Sequence, residues 1–232
     1  MLFDGVLLGR ASGSMGGVTA SHNRGGQYLR GRAVPTNPNT SFQQTVRSAM
    51  SQLSARWVDT LTAVQRMAWD TYAASVLLPN PLGDPVNVGG IGMYIRSNVP
   101  RVQFGIGALP LVDDAPTVFD LGAFTAPGIT SITASTKVAV LTFTDTDDWV
   151  GEDEAAMLIW DSDSKNPSIN YFKGPYKPSG TILGASIVPP TSPANVTLIH
   201  QPVAGNRTFL KCRVSRADGR LSAIFRDYRN AI

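Results

Sequence analysis

Cysteine, lysine and histidine are all scarce in this chain, and each scarcity removes a class of chemistry. Cys212 is the single cysteine among 232 residues, so no internal disulfide can form and a cysteine-based zinc site is excluded. The alternation of Phe209-Leu210-Lys211-Cys212-Arg213-Val214 predicts that this thiol is buried in a strand. Only His22 and His200 supply imidazoles, far apart and without an HExxH pattern, so no local metal cluster can be built on them. No lysine precedes Lys137, which removes a GxxxxGK[ST] phosphate loop from the glycine-rich start, and GxGxxG is also missing there. No apolar run approaches the eighteen residues of a membrane span. The opening Met1-Leu2-Phe3-Asp4-Gly5 lacks the basic flank and apolar stretch of a secretion signal, so synthesis in the cytosol is expected.

What is present is asymmetric. Through position 66 there are seven Arg against Asp4 and Asp59, a balance of +5, whereas the remainder carries −2. Eight of the first 31 residues are Gly. Such a segment has little apolar surface with which to order itself, and its order must come from the rest of the fold or from a neighbouring chain. Arginine suits fixed contacts to carboxylate, phosphate or backbone, because its guanidinium is a planar fork of donors. Arg10, Arg24, Arg30 and Arg32 are therefore candidate partner contacts, with Tyr28 beside them. The plainer alternative is that these cations solubilise an irregular arm. Val18–His22 and Gln27–Val34 are short extended candidates around a turn at Asn23–Gly26, a ribbon that could add to another subunit's sheet edge or fold over its own domain.

After the rigid Pro35–Thr40 segment the period changes to that of helices. Ser41/Gln44 and Thr62/Gln65 have capping-box spacing. Val46, Met50, Leu53 and Trp57 share one face, and Val64, Ala68, Tyr72 and Val76 another, with Trp69 and Ala73 alongside. A helical hairpin over 42–58 and 63–77 follows. A DNA-reading helix-turn-helix fits poorly, since the second helix offers only Gln65, Arg66, Asp70 and Thr71 to base edges. Ile91–Val99 predicts a further short helix ended by Pro100, with Met93 and Tyr94 as core anchors and Pro110–Pro116 as a linker.

Past Pro127 seven short runs read as strands: 130–134, 137–143, 156–160, 169–173, 195–199, 209–215 and 221–225. Their density, with no intervening helices, predicts an antiparallel β-sandwich. The class expected is α+β, with an extended arm over 1–40, a helical anchoring region over 41–109, a linker over 110–126 and a sandwich over 127–232. The acids Asp145, Asp147, Asp148, Glu152, Asp153 and Glu154 could form a solvated turn, an electrostatic mate for another chain's Arg arm, or a calcium loop, although they lack EF-hand order. Trp149 within them either packs over the sandwich edge or faces a partner. Tyr171, Lys173, Tyr176 and Lys177, in Tyr171-Phe172-Lys173-Gly174-Pro175-Tyr176-Lys177-Pro178, are further contact candidates for a glycan, peptide or protein. Asn195-Val196-Thr197 and Asn206-Arg207-Thr208 match a glycosylation pattern that no secretion signal supports. No catalytic residue, metal ligand or cofactor site is named.

The strings Ala11-Ser12-Gly13-Ser14-Met15-Gly16-Gly17-Val18-Thr19, Pro35-Thr36-Asn37-Pro38 and Gln65-Arg66-Met67-Ala68-Trp69 resemble a group of phage-associated virion proteins. The second half is similar to the fibronectin-type-III-like sandwiches attached to viral structural proteins. The resemblance implies a non-enzymatic structural subunit of a virion, capsid-associated or decorative, whose partners are other virion subunits, copies of itself included. The alternatives are a carbohydrate- or protein-binding sandwich module, and a neck or DNA-packaging component whose arm meets the nucleic-acid backbone. No membrane partner is expected.

Overall fold

A computed structural model describes residues 12–23, 26–80, 83–105 and 109–232. The chain divides into two compact units, residues 1–41 and 42–232.

The first unit is a three-stranded antiparallel meander: β1 (Gly13–Met15), β2 (Val18–Asn23) and β3 (Gly26–Gly31). Met15 pairs with Val18 across a two-residue turn, where Gly16 takes a φ of +58° that a β-carbon would disfavour. Asn23 pairs with Gly26 between β2 and β3; Arg24 and Gly25 lie outside the described residues, as does Arg10. The Arg32 amide donates to the Gly17 carbonyl (2.9 Å), and Ser14 and Thr19 hydroxyls meet at 2.7 Å.

In the second unit, α1 (Ser41–Asp59) and α2 (Ala63–Ser75) occupy the expected positions. Thr62 caps α2 as its spacing predicts: the Gln65 amide donates to Thr62 Oγ1 (3.3 Å), and the Thr62 amide to Gln65 Oε1 (2.9 Å). The buried faces differ from those expected. On α1 only Ala49 and Leu53 are buried, while Val46 and Met50 remain exposed; on α2 Trp69, Tyr72, Ala73 and Val76 are buried, while Val64 and Ala68 are exposed. The cause is the choice of neighbour, since α2 packs chiefly on a third helix and α1 reaches the cluster mainly through its C-terminal half. A small hairpin, β4 (Leu78–Pro79) with β5 (Pro85–Val86), leads into that helix, α3 (Gly90–Phe104). Gly90 sits so close to Asp70 that a β-carbon there would collide with it, and its amide donates to Asp70 Oδ1 (2.9 Å).

Pro100 does not end α3. A proline removes one helical hydrogen bond, but here the helix runs on to Gly105, which caps it at φ +59°. Side chains on either side of Pro100 fix the helix to the following segment: Asn98 exchanges two bonds with the Val112 backbone (3.0 and 2.8 Å), and Arg101 Nη1 donates to the Pro110 carbonyl (2.8 Å). That segment, expected as a linker, is woven over the helical cluster. Asp113 accepts from Arg56 at two points (2.8 and 2.5 Å), its carbonyl accepts from Trp69 Nε1 (2.9 Å), and the Asp120 carbonyl accepts from Tyr72 (2.8 Å). Trp57, Trp69, Tyr72 and Tyr94 form a tilted and edge-on aromatic set at centroid separations of 5.5–5.9 Å.

The remainder is an antiparallel β-sandwich, and the α+β class expected from sequence is the one found. Its strands are β6 (Gly128–Thr133), β7 (Val138–Thr142), β8 (Ala156–Ser162), β9 (Tyr176–Leu183), β10 (Ala194–Thr197), β11 (Arg207–Ser215) and β12 (Phe225–Asn230). A three-stranded sheet ordered β10-β7-β6 faces a four-stranded sheet ordered β12-β11-β8-β9 across a core that includes Ile132, Leu141, Met157, Ile159, Leu210 and Val214. Past the end of β12 the chain runs beside β6, where the Ile232 amide donates to Ile132 (2.9 Å) and the Ala134 amide to Ile232 (2.8 Å).

Two strand expectations need correction. Residues 169–173 form no strand, because Asn166 turns the chain through Ser168 and Ile169 and the Ile169 carbonyl is taken by the Arg207 guanidinium; the strand begins at Tyr176. The last strand is 225–230 rather than 221–225. Leu221 makes one isolated bridge to Ser215, and Ser222 satisfies the Val214 amide and carbonyl, so the chain crosses before pairing resumes at Phe225.

Candidate interaction surfaces

The ribbon of the first unit places Tyr28 opposite Ser21 and Arg30 opposite Thr19, so Tyr28 and Arg30 share a face; Arg32 follows just beyond β3. Tyr28 is half-buried, and Arg30 and Arg32 are exposed. None of the described residues from 12 to 40 is buried, and Met15 is 89% exposed. β3 is an edge of the described sheet, with one row of backbone groups turned away from β2.

The second surface is the outer face of the four-stranded sheet. Strand alternation turns Leu210, Cys212 and Val214 inward, so Phe209, Lys211 and Arg213 point outward, where their cross-strand partners are Tyr228, Arg226, Trp160 and Leu158. Phe172 packs on Phe209 (5.5 Å) and Tyr228 (6.2 Å), and Arg207 lies 4.2 Å above the Tyr228 ring. Lys211 Nζ sits 4.6 Å above Trp160 and 5.5 Å from the centre of Tyr176. Burial lowers the Lys211 pKa, with neighbouring Arg213 and Arg226 adding to the fall. Burial likewise brings Arg213 down to about 10, assisted by Arg96. Tyr176 is raised by burial. α3 covers one end of this face, where Phe104 meets Trp160 edge-on at 5.0 Å.

The contact candidates 171–177 therefore separate. Tyr171 and Lys173 are exposed on the loop, whereas Tyr176 is half-buried in β9 and Lys177 lies 4.8 Å over the Phe42 ring. The residues that the sequence reasoning missed are Lys211, Arg213 and Arg226. For Lys211 and Arg213 the signal was available, since an alternation that buries Cys212 turns both of its neighbours to the opposite face of the sheet, whereas Arg226 follows only from the β11–β12 register.

Five of the six acids in the acidic turn have partners within the chain. Asp145 accepts the Ser192 amide (2.9 Å), Asp147 the Thr125 amide and hydroxyl (2.7 and 2.9 Å), and Asp153 the Ser186 amide and hydroxyl (2.9 and 2.6 Å). The Ser186 bonds hold the Asp153 carboxyl below its usual range. Arg216 takes Glu152 and, at 3.5 Å, Asp148. Among the described residues no three metal-binding side chains come together. A shallow recess of about 360 Å³ beside Phe124 is lined by Asp147, already engaged by Thr125, and by Asp148, which meets Arg216 at 3.5 Å. Trp149 is fully buried against Phe143 (5.4 Å), which removes it as a partner contact; the turn folds its indole into the sandwich core.

Among the described residues a Ser–His–Asp convergence forms on buried Asp161. Ser179 Oγ donates to Asp161 Oδ1 (2.6 Å), the His200 amide donates to Oδ2 (3.0 Å), and His200 Nδ1 lies 3.0 Å from Oδ1. The serine proton points to the carboxylate and not to the imidazole, so this cluster ties β8, β9 and the β10–β11 connection together without forming a nucleophile–base pair. Among the described residues no helix is long and apolar enough to cross a membrane. Comparison with protein families, curated proteins and solved structures finds no match to this chain.

Proposed function

We propose that the chain is a structural virion protein, a capsid-associated or decoration subunit, whose N-terminal ribbon joins neighbouring subunits. The observation that carries this reading is the ribbon itself: three paired strands in which no described residue is buried. A small sheet needs an apolar face packed on something before it is stable in water. A neighbouring subunit supplies that packing and can continue the β3 edge through backbone hydrogen bonds, with Arg30 and Arg32 adding charge-assisted contacts. The sandwich, with three strands facing four, is compatible with the fibronectin-type-III-like module that the sequence resembles, and it supplies a second contact face.

The test is to place a photo-crosslinking side chain at Leu29 and purify virus particles from cells that produce the chain. Crosslinks from the ribbon to another polypeptide in the particle are expected. Absence of the chain from particles, or intrachain products alone, rejects the proposal.

A further inference from the structure

Lys211 stands directly across the β11–β12 ladder from Arg226, an arrangement of like charges that disfavours the pairing. Arg213 lies two residues further along β11 on the same face, and the pKa values of Lys211 and Arg213 are both depressed, chiefly by burial and further by neighbouring cations. Arg96 reaches the same region from α3. Among the described residues, none of these four cations makes an ion pair with a carboxylate.

The two guanidiniums at the inner end are held by successive backbone carbonyls. Arg96 Nη2 donates to Leu221 (3.2 Å), and Arg213 Nε donates to Ser222 (2.7 Å). This fixes both planar forks side by side while leaving Arg96 Nη1 buried without an acceptor. A buried donor with no acceptor is costly, and several unpaired, half-buried cations are more so. A sheet that only needed solubility would place them apart or beside acids.

We propose that the seam between α3 and the β11–β12 ladder, bounded by Arg96, Lys211, Arg213 and Arg226, is a binding site for a phosphate-type oxyanion. Such a group accepts from two guanidinium forks at once and offsets the charge of the two cations behind them. The face favours the anion itself over a stacked base. Trp160 is already covered by Lys211 and Phe104, and Arg207 lies over Tyr228, so the rings beside Lys211 and Arg226 already carry partners within the chain. The oxyanion is either a free one or a phosphodiester of nucleic acid. The proposal stands apart from the virion reading and draws on none of the ribbon residues.

The test is calorimetric titration of the full chain with inorganic phosphate in a low-salt buffer, for wild type and for Arg213→Gln, Arg213→Lys, Arg226→Gln and, as a control on α1, Arg47→Gln, with folding of each checked by circular dichroism. Saturable binding is expected. Arg213→Gln should weaken it about tenfold or more, Arg213→Lys less, and Arg47→Gln not at all. Arg226 is exposed, so Arg226→Gln keeps the test decisive if the Arg213 variants misfold; it too should weaken binding. A short oligothymidylate that competes with phosphate and responds to the same variants identifies a phosphodiester source. Phosphate binding without oligonucleotide binding identifies a free oxyanion. No saturable phosphate binding, or binding indifferent to both Arg213→Gln and Arg226→Gln, overturns the proposal, as does binding of a polyglutamate peptide by a protein that ignores phosphate.

Discussion

The guanidinium of Arg101 donates to the backbone carbonyl of Arg216, so a cation from α3 is buried against a hairpin of the sandwich and meets no carboxylate there. The same group also reaches Pro110 (2.8 Å) and Glu154 (3.3 Å), and thus joins the helical region, the segment after it and the sandwich at one point. Burial lowers its pKa, with Glu154, Asp218 and Glu152 opposing the fall.

Replacing Arg101 by Leu should therefore destabilise the second unit by about 3 kcal/mol or more, since several buried carbonyls lose their donor at once. Urea unfolding measures this directly. A loss under about 1 kcal/mol would show that the fork is dispensable.

Asp113 predicts an acid-sensitive component of stability. The Arg56 hydrogen bond holds its carboxyl below the ordinary value of 3.8, with charge attraction to Arg56 and a bond from Tyr94 adding to the effect. A carboxylate whose folded pKa is depressed stabilises the fold fully above its unfolded pKa, and that contribution disappears as pH falls through the folded value. Asp113→Asn should cost about 1–2 kcal/mol at neutral pH, a modest figure because Arg56 is partly exposed, and should flatten the stability curve below about pH 4. An unchanged acid limb in this variant would contradict the assignment.

Cys212 should be inert in the folded protein. Burial, with a smaller contribution from Asp227, pushes its thiol up to about 12, and the thiolate is the reactive form. Alkylation at pH 8 should be slower than in denaturant by a factor on the order of a hundred or more. Comparable rates in the two states would place the thiol at the surface.

Gly184 packs against the turn that carries Trp149. A β-carbon there would run into the Trp149 carbonyl and lie 2.6 Å from that of Glu152, both of them backbone atoms that cannot rotate away. Gly184→Ala should cost roughly 1–3 kcal/mol and lower the melting temperature by several degrees, whereas Gly151→Ala, with open space around it, should cost far less. Equal effects of the two substitutions would count against this packing.

The elements most legible in the sequence were those fixed by local chemistry. The Thr62–Gln65 box begins α2 where its spacing places it, and the period of 209–215 sets both β11 and the burial of Cys212. The features misread were decided by neighbours. Val46 and Met50 belong to an apolar stripe, yet α1 reaches the helical cluster mainly through Leu53 and Trp57, further along. Pro100 reads as a stop, but Asn98 and Arg101 hold the helix past it. β12 carries Arg226, Asp227, Tyr228, Arg229 and Asn230, a composition that hides a strand because Arg226 stands on its outer face while Asp227 accepts the Ile129 amide (3.3 Å) and Arg229 donates to the Ile129 carbonyl (2.6 Å). The acids of 145–154 looked like a surface run, and the serines and threonine that engage them lie 22 to 47 residues away.

The central claim is that the N-terminal ribbon takes its burial from a neighbouring chain, and backbone hydrogen exchange over residues 18–23 and 26–31 tests it most directly. The amides of β3 should be strongly protected in assembled material and should lose that protection when the protein is diluted to a single-copy state. Equal protection of β3 in dilute monomer and in the assembly would contradict the claim.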